Sequence, residues 1–87
     1  MNLTDQKITL LTQERDGTCQ FTGRLVVTRA AHELFGPLVV LEALVLVRKQ
    51  VVEKGGLDRL QVLDVEGQRL WIIDDGEVVT ALLPEDY

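Results

Sequence analysis

Residue types capable of nucleophilic or metal chemistry are sparse in this chain, which has one histidine (His32), one cysteine (Cys19) and no serine. A serine nucleophile is therefore excluded, and zinc takes roughly three or four protein ligands, which one histidine and one cysteine do not supply. His32-Glu33 begins like a zincin motif, but no second histidine follows one turn later. The predicted position of Cys19 on the inward face of a strand indicates a buried, inert thiol. We expect neither a metal site nor a Cys–His catalytic pair.

Carboxylates gather in the last third of the chain. Residues 1–54 carry seven basic and six acidic groups, a balance of +1, whereas residues 55–87 carry two basic and eight acidic groups, a balance of −6. The run Asp74 to Glu77 does not have the spacing of a calcium loop, whose ligands alternate along about 12 residues, and it is typical of a turn. The acidic excess either keeps the protein soluble or steers a basic partner. In the second case the predicted partner contacts are Asp74, Asp75, Glu77, Glu85, Asp86 and Tyr87.

Other common binding modes find little support in the sequence. Gly55-Gly56 lacks the lysine and hydroxyl residue that follow the glycine in a phosphate-binding loop. A pI of about 4.7 argues against nucleic-acid binding. The longest apolar stretch, 38–47, is interrupted by Glu42 and is about half the length of a membrane-spanning helix. No signal-peptide pattern is present at the start. We expect a cytoplasmic protein without a cofactor that binds neither nucleic acid nor a membrane.

Length and composition predict a single domain over residues 1–87. The chain has 87 residues, of which 46% are hydrophobic and 26% charged. Such a composition is enough for one small core with a wet surface, and it excludes disorder as the main state. The single cysteine closes no disulfide within the chain, so the core must supply the stability.

The first third of the chain predicts a β-hairpin. Residues 7–13 are rich in β-branched and apolar side chains, and Asp16-Gly17 has the composition of a tight turn. From Cys19 to Val27 the apolar residues alternate with polar ones, which is the pattern of a strand with one buried face. Gly23 falls on the inward face, where it indicates a bulge or a close crossing by another element.

The middle of the chain predicts one main helix. Thr28 is placed to cap a short helical turn that Gly36 ends, and Pro37 suits the first position of a helix running to about Lys54, where two glycines follow. Residues 38–47 are apolar nearly all round, so a strand buried on both faces is the alternative; the valine content favours the strand, and the boundaries and length favour the helix. The predicted core stripe is Val40, Leu44, Val47 and Val51, widened by Leu38, Leu41, Val45 and Val52, with Val39, Ala43 and Leu46 on the remaining side.

The last third predicts three short strands, at 60–65, 70–74 and 78–83, separated by turn sequences at 66–68 and 75–76. Together these patterns predict an α+β fold. It consists of an N-terminal β-hairpin, one main α-helix and a C-terminal three-stranded antiparallel meander, in a single sheet with the helix on one face.

Both the helix and the sheet show a second apolar face that one layer leaves uncovered, so we predict a homodimer. The candidate interface residues are Val39, Leu46, Trp71 and Ile73. The function predicted is that of a small, acidic, non-catalytic protein–protein interaction module. Two alternatives stay open: an immunity or inhibitor protein that neutralises a basic toxin or nuclease, and an enzyme without a recognisable catalytic set.

Overall fold

The computed structural model describes residues 5–11 and 15–87 and has the predicted α+β character. One long helix packs on a five-stranded mixed sheet. In chain order the elements are β1 (Ile8–Leu10), β2 (Arg24–Val27), α1 (Arg29–Lys54), β3 (Leu60–Val65), β4 (Gln68–Asp74), β5 (Val78–Leu82) and a final 3₁₀ turn (Pro84–Asp86).

The strand order is β1-β3-β4-β5-β2, in which β3, β4 and β5 form an antiparallel meander. The predicted N-terminal hairpin is wrong, because β1 pairs antiparallel with β3 at one edge and β2 pairs parallel with β5 at the other. An Asp-Gly turn sequence indicates where the chain bends, but it does not determine which strand the next segment joins. The end of the predicted first strand, Thr12 and Gln13, lies outside the described residues.

In the segment between β1 and β2, two glycines lie very close to the backbone of later parts of the chain. A Cβ at Gly17 would lie 2.4 Å from the carbonyl oxygen of Leu57, and one at Gly23 would lie 2.6 Å from that of Glu77. Gly23 therefore marks the close crossing that its inward position predicted. Cys19 forms an isolated antiparallel bridge with Leu57, so this segment is tied to the chain that follows the helix.

The helix begins and ends at the predicted signals, which decides between helix and buried strand for residues 38–47. Thr28 Oγ1 accepts a hydrogen bond from the Ala31 N–H at 3.2 Å. Gly36 is non-helical at φ 78° and ψ 165°, so α1 is kinked immediately before Pro37. Gly55 ends the helix in the left-handed region, and its N–H donates to the Val51 carbonyl at 2.7 Å. The glycines are needed here because left-handed backbone is costly for residues with a Cβ.

The buried face of α1 is rotated from the predicted one. Val40, Leu44, Val47 and Val51 are buried as predicted, but so are Val39 and Ala43. The residues predicted to widen the core stripe are exposed instead: Leu38, Leu41, Val45 and Val52. Small side chains explain the difference, because Ala31 and Ala43 are fully buried on the face that packs against the sheet.

The helix-facing side of the sheet supplies the other half of the core. Its buried apolar residues are Leu63, Val65, Leu70, Ile72, Val79 and Ala81, with Ile8, Leu10, Leu25 and Val27 partly buried at the two edges. By length and composition alone α1 would also be able to cross a membrane. In this fold its buried side packs on the sheet, and a second, exposed side remains.

We expect Gly17→Ala to lower the free energy of unfolding by about 2 kcal/mol, since the added methyl group meets backbone that has no rotamer to change. Urea unfolding followed by Trp71 fluorescence measures the change. Thr18→Ala, at the exposed neighbouring position, is the control and should stay within about 0.5 kcal/mol of wild type. Equal stability of the two variants would contradict the close approach at Gly17.

Candidate functional site

The carboxylate of Asp74, the first of the predicted partner contacts, accepts two hydrogen bonds from within the chain. Its Oδ2 accepts the Phe21 N–H at 3.0 Å, and its Oδ1 accepts the Gly76 N–H at 2.7 Å. Phe21 is fully buried and has a φ of 55°, an uncommon conformation for a residue with a side chain. The Arg48 Nε donates to the Phe21 carbonyl at 2.7 Å. Asp74 and Arg48 thus hold the two backbone polar groups of Phe21 and stabilise its unusual conformation.

Asp86, in the C-terminal tail, also accepts hydrogen bonds from within the chain. Its Oδ2 accepts from Thr28 Oγ1 at 2.8 Å and from the Leu83 N–H at 3.0 Å. The carboxylate therefore ties the C-terminal tail to the N-cap of α1. Glu77 and Glu85, by contrast, are exposed residues of the same acidic region.

Arg59 joins the acidic turn to the tail. Its Nη2 lies 3.1 Å from Asp75 Oδ1, with both side chains about half exposed, at 51% and 50%. It also hydrogen-bonds the side chain of Tyr87, and this bond, followed by the one to Asp75, raises the pKa of Arg59. Because exposed ion pairs contribute little to stability, the main effect of Arg59 is to hold Asp75 and Tyr87 in position. The structure brings Asp75 and Tyr87 together at Arg59, whereas Asp74 and Asp86 take part in separate internal contacts.

The outer face of the sheet, away from α1, is partly covered by the tail. Tyr87 packs edge-to-face on Trp71, with ring centroids 5.6 Å apart. Trp71 pairs with Leu82 across the strands, and both Leu82 and Ile73 are buried within the single chain. Two of the predicted dimer contacts, Trp71 and Ile73, thus lie on a face that this chain already shields to a large extent.

Of the two predicted dimer contacts on the helix, Val39 needs correction. Val39 is 3% exposed and belongs to the core, so in this fold it offers no surface to a partner. Leu46 is of intermediate exposure. The reason is again the phase of α1, since the face assigned to a partner from the sequence includes residues that pack on the sheet.

A different face of α1 carries five of the seven large hydrophobic residues that are exposed in the described part of the chain. We call it the outer stripe; its exposed fractions run from 45% for Leu41 to 84% for Val52. After the kink at Gly36, its members from Leu38 onward follow one another at steps of three, four and seven residues, the spacing of an a/d seam, and Leu34 lies before the kink. They are Leu34, Leu38, Leu41, Val45 and Val52. This exposed face was not predicted from the sequence, which placed most of its members in the core; the buried alanines on the opposite side were the available signal.

An open cavity of about 250 Å³ adjoins the N-terminal end of the outer stripe. Leu34, Leu83 and Pro84 give it apolar walls, and Gln68, Arg69 and Glu85 complete the lining. Arg69 forms an ion pair with Asp64, so its charge is partly neutralised. The cavity therefore offers a mainly apolar recess where α1, β4 and the tail meet.

The single histidine and the single cysteine lie far apart in the fold. His32 lies near the start of α1, whereas Cys19 bridges to Leu57 beyond its end, so most of the helix separates them. Within residues 5–11 and 15–87 no group of three or more His, Cys, Asp or Glu side chains is placed to hold a metal ion. Burial, with the charges of Asp74 and Asp58, raises the pKa of the Cys19 thiol despite the opposing charge of Arg59.

Comparison with protein-family models, with curated proteins and with solved structures finds no match to this chain. A functional assignment therefore rests on the geometry of the chain itself.

We expect Asp74→Ala to lower the free energy of unfolding by about 2 to 3 kcal/mol, because two backbone donors lose a charged acceptor. Glu77→Ala, which removes an exposed carboxylate from the same turn, is the matched control and should be nearly neutral. Urea unfolding measures both variants. Equal effects would show that the acidic turn is a surface feature only.

The Cys19 thiol should be alkylated by iodoacetamide with a pH midpoint above that of the same chain unfolded in urea, since only the thiolate reacts and its formation is disfavoured in the fold. The rate is measured from pH 7 to about pH 10 in both states. Access changes the maximal rate but leaves the midpoint in place, so a native midpoint at or below the unfolded one would contradict the burial and charge described.

Proposed function

We propose that this protein is a small, non-catalytic protein–protein interaction module that acts as a homodimer. The observation that supports the proposal best is the outer stripe, a row of exposed leucine and valine side chains on α1, four of which follow the kink at Gly36. Contiguous apolar patches of several hundred Å² on soluble proteins usually mark interaction sites. Closed two-fold dimers are the commonest way to cover such a patch.

Charge distribution also favours self-association through α1. Two copies with a net charge of −5 each repel one another at long range. The α1 segment, however, carries four basic and three acidic side chains, a balance of +1, while residues 55–87 carry −6. Contact through α1 keeps the acidic meanders apart, whereas contact through the meander would bring like charges together.

The same arrangement leaves the acidic turn and tail free for a second partner. Glu77, Glu85 and the Arg59-linked pair of Asp75 and Tyr87 lie at the surface. A basic protein is the partner that such a surface would attract, with rim charges acting chiefly on the association rate. In this proposal Asp74 and Asp86 hold the surface in place through hydrogen bonds within the chain.

We expect wild-type protein at micromolar concentration to sediment at twice its chain mass of 9.8 kDa, and Leu38→Glu/Val45→Glu to sediment as the monomer. Both positions are more than half exposed, at 53% and 58%, so the fold should tolerate the charges that the interface does not. Sedimentation equilibrium is the measurement, with circular dichroism to confirm folding.

The matched control is Val26→Glu, which adds a charge at an exposed valine on β2. It should remain dimeric. A wild-type protein found only at 9.8 kDa, or a Val26→Glu variant as monomeric as the double variant, would count against the proposed interface.

A further inference from the structure

We propose that the open edge of β2 binds an extended acidic segment of a partner protein, which pairs antiparallel with residues 25–27 and adds a strand to the sheet. β2 is the last strand in the sheet order, and no described strand pairs with its second edge. This edge shares no residue with the outer stripe, so the inference does not depend on the proposed homodimer. It is argued from the backbone groups of the edge, the arginines at its two ends and the exposed valine between them.

The backbone of β2 bonds to β5 through every second residue. The N–H groups of Arg24 and Thr28 both donate toward β5, at 3.3 and 3.0 Å. Successive backbone groups of a strand point to opposite edges, so the N–H and C=O groups of Leu25 and Val27 point away from β5. No hydrogen bond to another described residue engages them. An antiparallel segment would therefore exchange four backbone hydrogen bonds with this edge.

Two arginines flank these open groups. Arg24 begins β2 and Arg29 begins α1, and both are exposed. Neither guanidinium forms an ion pair with a described residue. Arg29 lies in the first turn of α1, which holds no acidic residue and where the helix dipole disfavours a cation. The stability of the fold therefore does not account for either charge.

The flanking charges determine which kind of segment fits the edge. Residues 15–29 carry three arginines and one aspartate, a balance of +2 in a chain of net charge −5. Two β2 strands paired antiparallel would place Arg24 of each copy beside Thr28 and Arg29 of the other, and like charges across strands repel. Acidic side chains at the same positions would pair with the guanidinium groups. The edge thus disfavours a second copy and favours an acidic partner.

Val26 defines the middle of the recognised segment. It lies on the outer face of the sheet and is 39% exposed, whereas Leu25 and Val27 face the core and are partly buried. In an added strand every second side chain lies on the outer face. We therefore expect an apolar residue opposite Val26 and an acidic residue two positions before and after it. The two acidic groups are then about 13 Å apart at 3.3 Å per residue, which matches the span from Arg24 to Thr28.

The peptide acetyl-Glu-Thr-Val-Thr-Glu-amide is the probe, since its valine faces Val26 and its glutamates reach the two arginines. It is titrated into the ¹⁵N-labelled full chain, and the amide resonances are followed by NMR. We expect the largest downfield shifts at the N–H groups of Leu25 and Val27, because these gain hydrogen bonds, and smaller shifts at Val26. Methylation of both threonine nitrogens should abolish binding. Methylation of the valine nitrogen, which points away from β2, should leave it unchanged.

The variant Arg24→Gln/Arg29→Gln should bind the peptide about tenfold more weakly, because two exposed ion pairs are lost. Lys7→Gln/Lys54→Gln is the matched control. It makes the same change in net charge at two exposed residues outside β2 and should bind as wild type does. Equal binding by the arginine variant, or equal binding of acetyl-Lys-Thr-Val-Thr-Lys-amide by the wild type, would overturn the acidic class of partner.

The two interfaces of the protein are tested separately. Leu38→Glu/Val45→Glu should bind the peptide as wild type does, and Val26→Glu should bind it more weakly while remaining dimeric. No shift at Leu25 and Val27 with the peptide in the millimolar range rejects the edge site and leaves the proposed homodimer standing. Peptide binding by a protein that sediments as a monomer rejects the homodimer alone. Loss of binding on methylation of the valine nitrogen overturns the antiparallel register.

Discussion

The structure depends on one packing constraint, which is that a single helix must cover a five-stranded sheet. Ala31 and Ala43 are fully buried between the two layers, which permits a close approach of the helix to the strands. The larger residues Phe35, Val40 and Val47 fill the space on either side of that contact. Because protein interiors are close-packed, the rotation of α1 is determined by where its small residues lie. Everything on the opposite side of the helix is then necessarily exposed.

Hydrogen bonds that carboxylates accept join the layers at their ends. Asp74 holds the backbone of Phe21 where the segment before β2 turns into the core, and Asp86 holds the N-cap residue Thr28 from the tail. Each bond connects residues more than fifty positions apart in the chain. Carboxylates are well suited to this because charge-assisted hydrogen bonds are stronger than neutral ones. The acidic excess of residues 55–87 is therefore partly structural, and its surface role belongs to the exposed carboxylates.

The two outer apolar faces of this two-layer fold, one on the sheet and one on the helix, are covered to different extents. On the sheet, the tail folds back so that Tyr87 packs on Trp71, and Ile73 is buried without any partner. On the helix, no described segment crosses the outer stripe, and its leucines and valines stay at the surface. The described elements form one helix and one sheet, and none of them supplies a third layer over the helix. A second copy provides that layer in the proposed dimer without any further chain.

Local signals in the sequence were sufficient for the helix, its caps and the C-terminal strands. Thr28, Gly36 and Gly55 act on their own neighbours, and the short turns at 66–67 and 75–77 join strands that are adjacent in the chain, so these features need no distant contact. The class α+β followed from them. The acidic residues were also visible as a group, although composition did not distinguish exposed carboxylates from those that accept internal hydrogen bonds.

Tertiary structure alone decided the partners of β1 and β2, the rotation of α1 and the location of the exposed apolar face. A strand edge pairs with whichever neighbour the rest of the sheet leaves open, and β1 and β2 took opposite edges. A helix that is apolar nearly all round has no polar side to orient it, so its buried face is selected by fit against the sheet. For that reason the sequence pattern predicts Leu38 and Val45 in the core, whereas both lie at the surface in the fold.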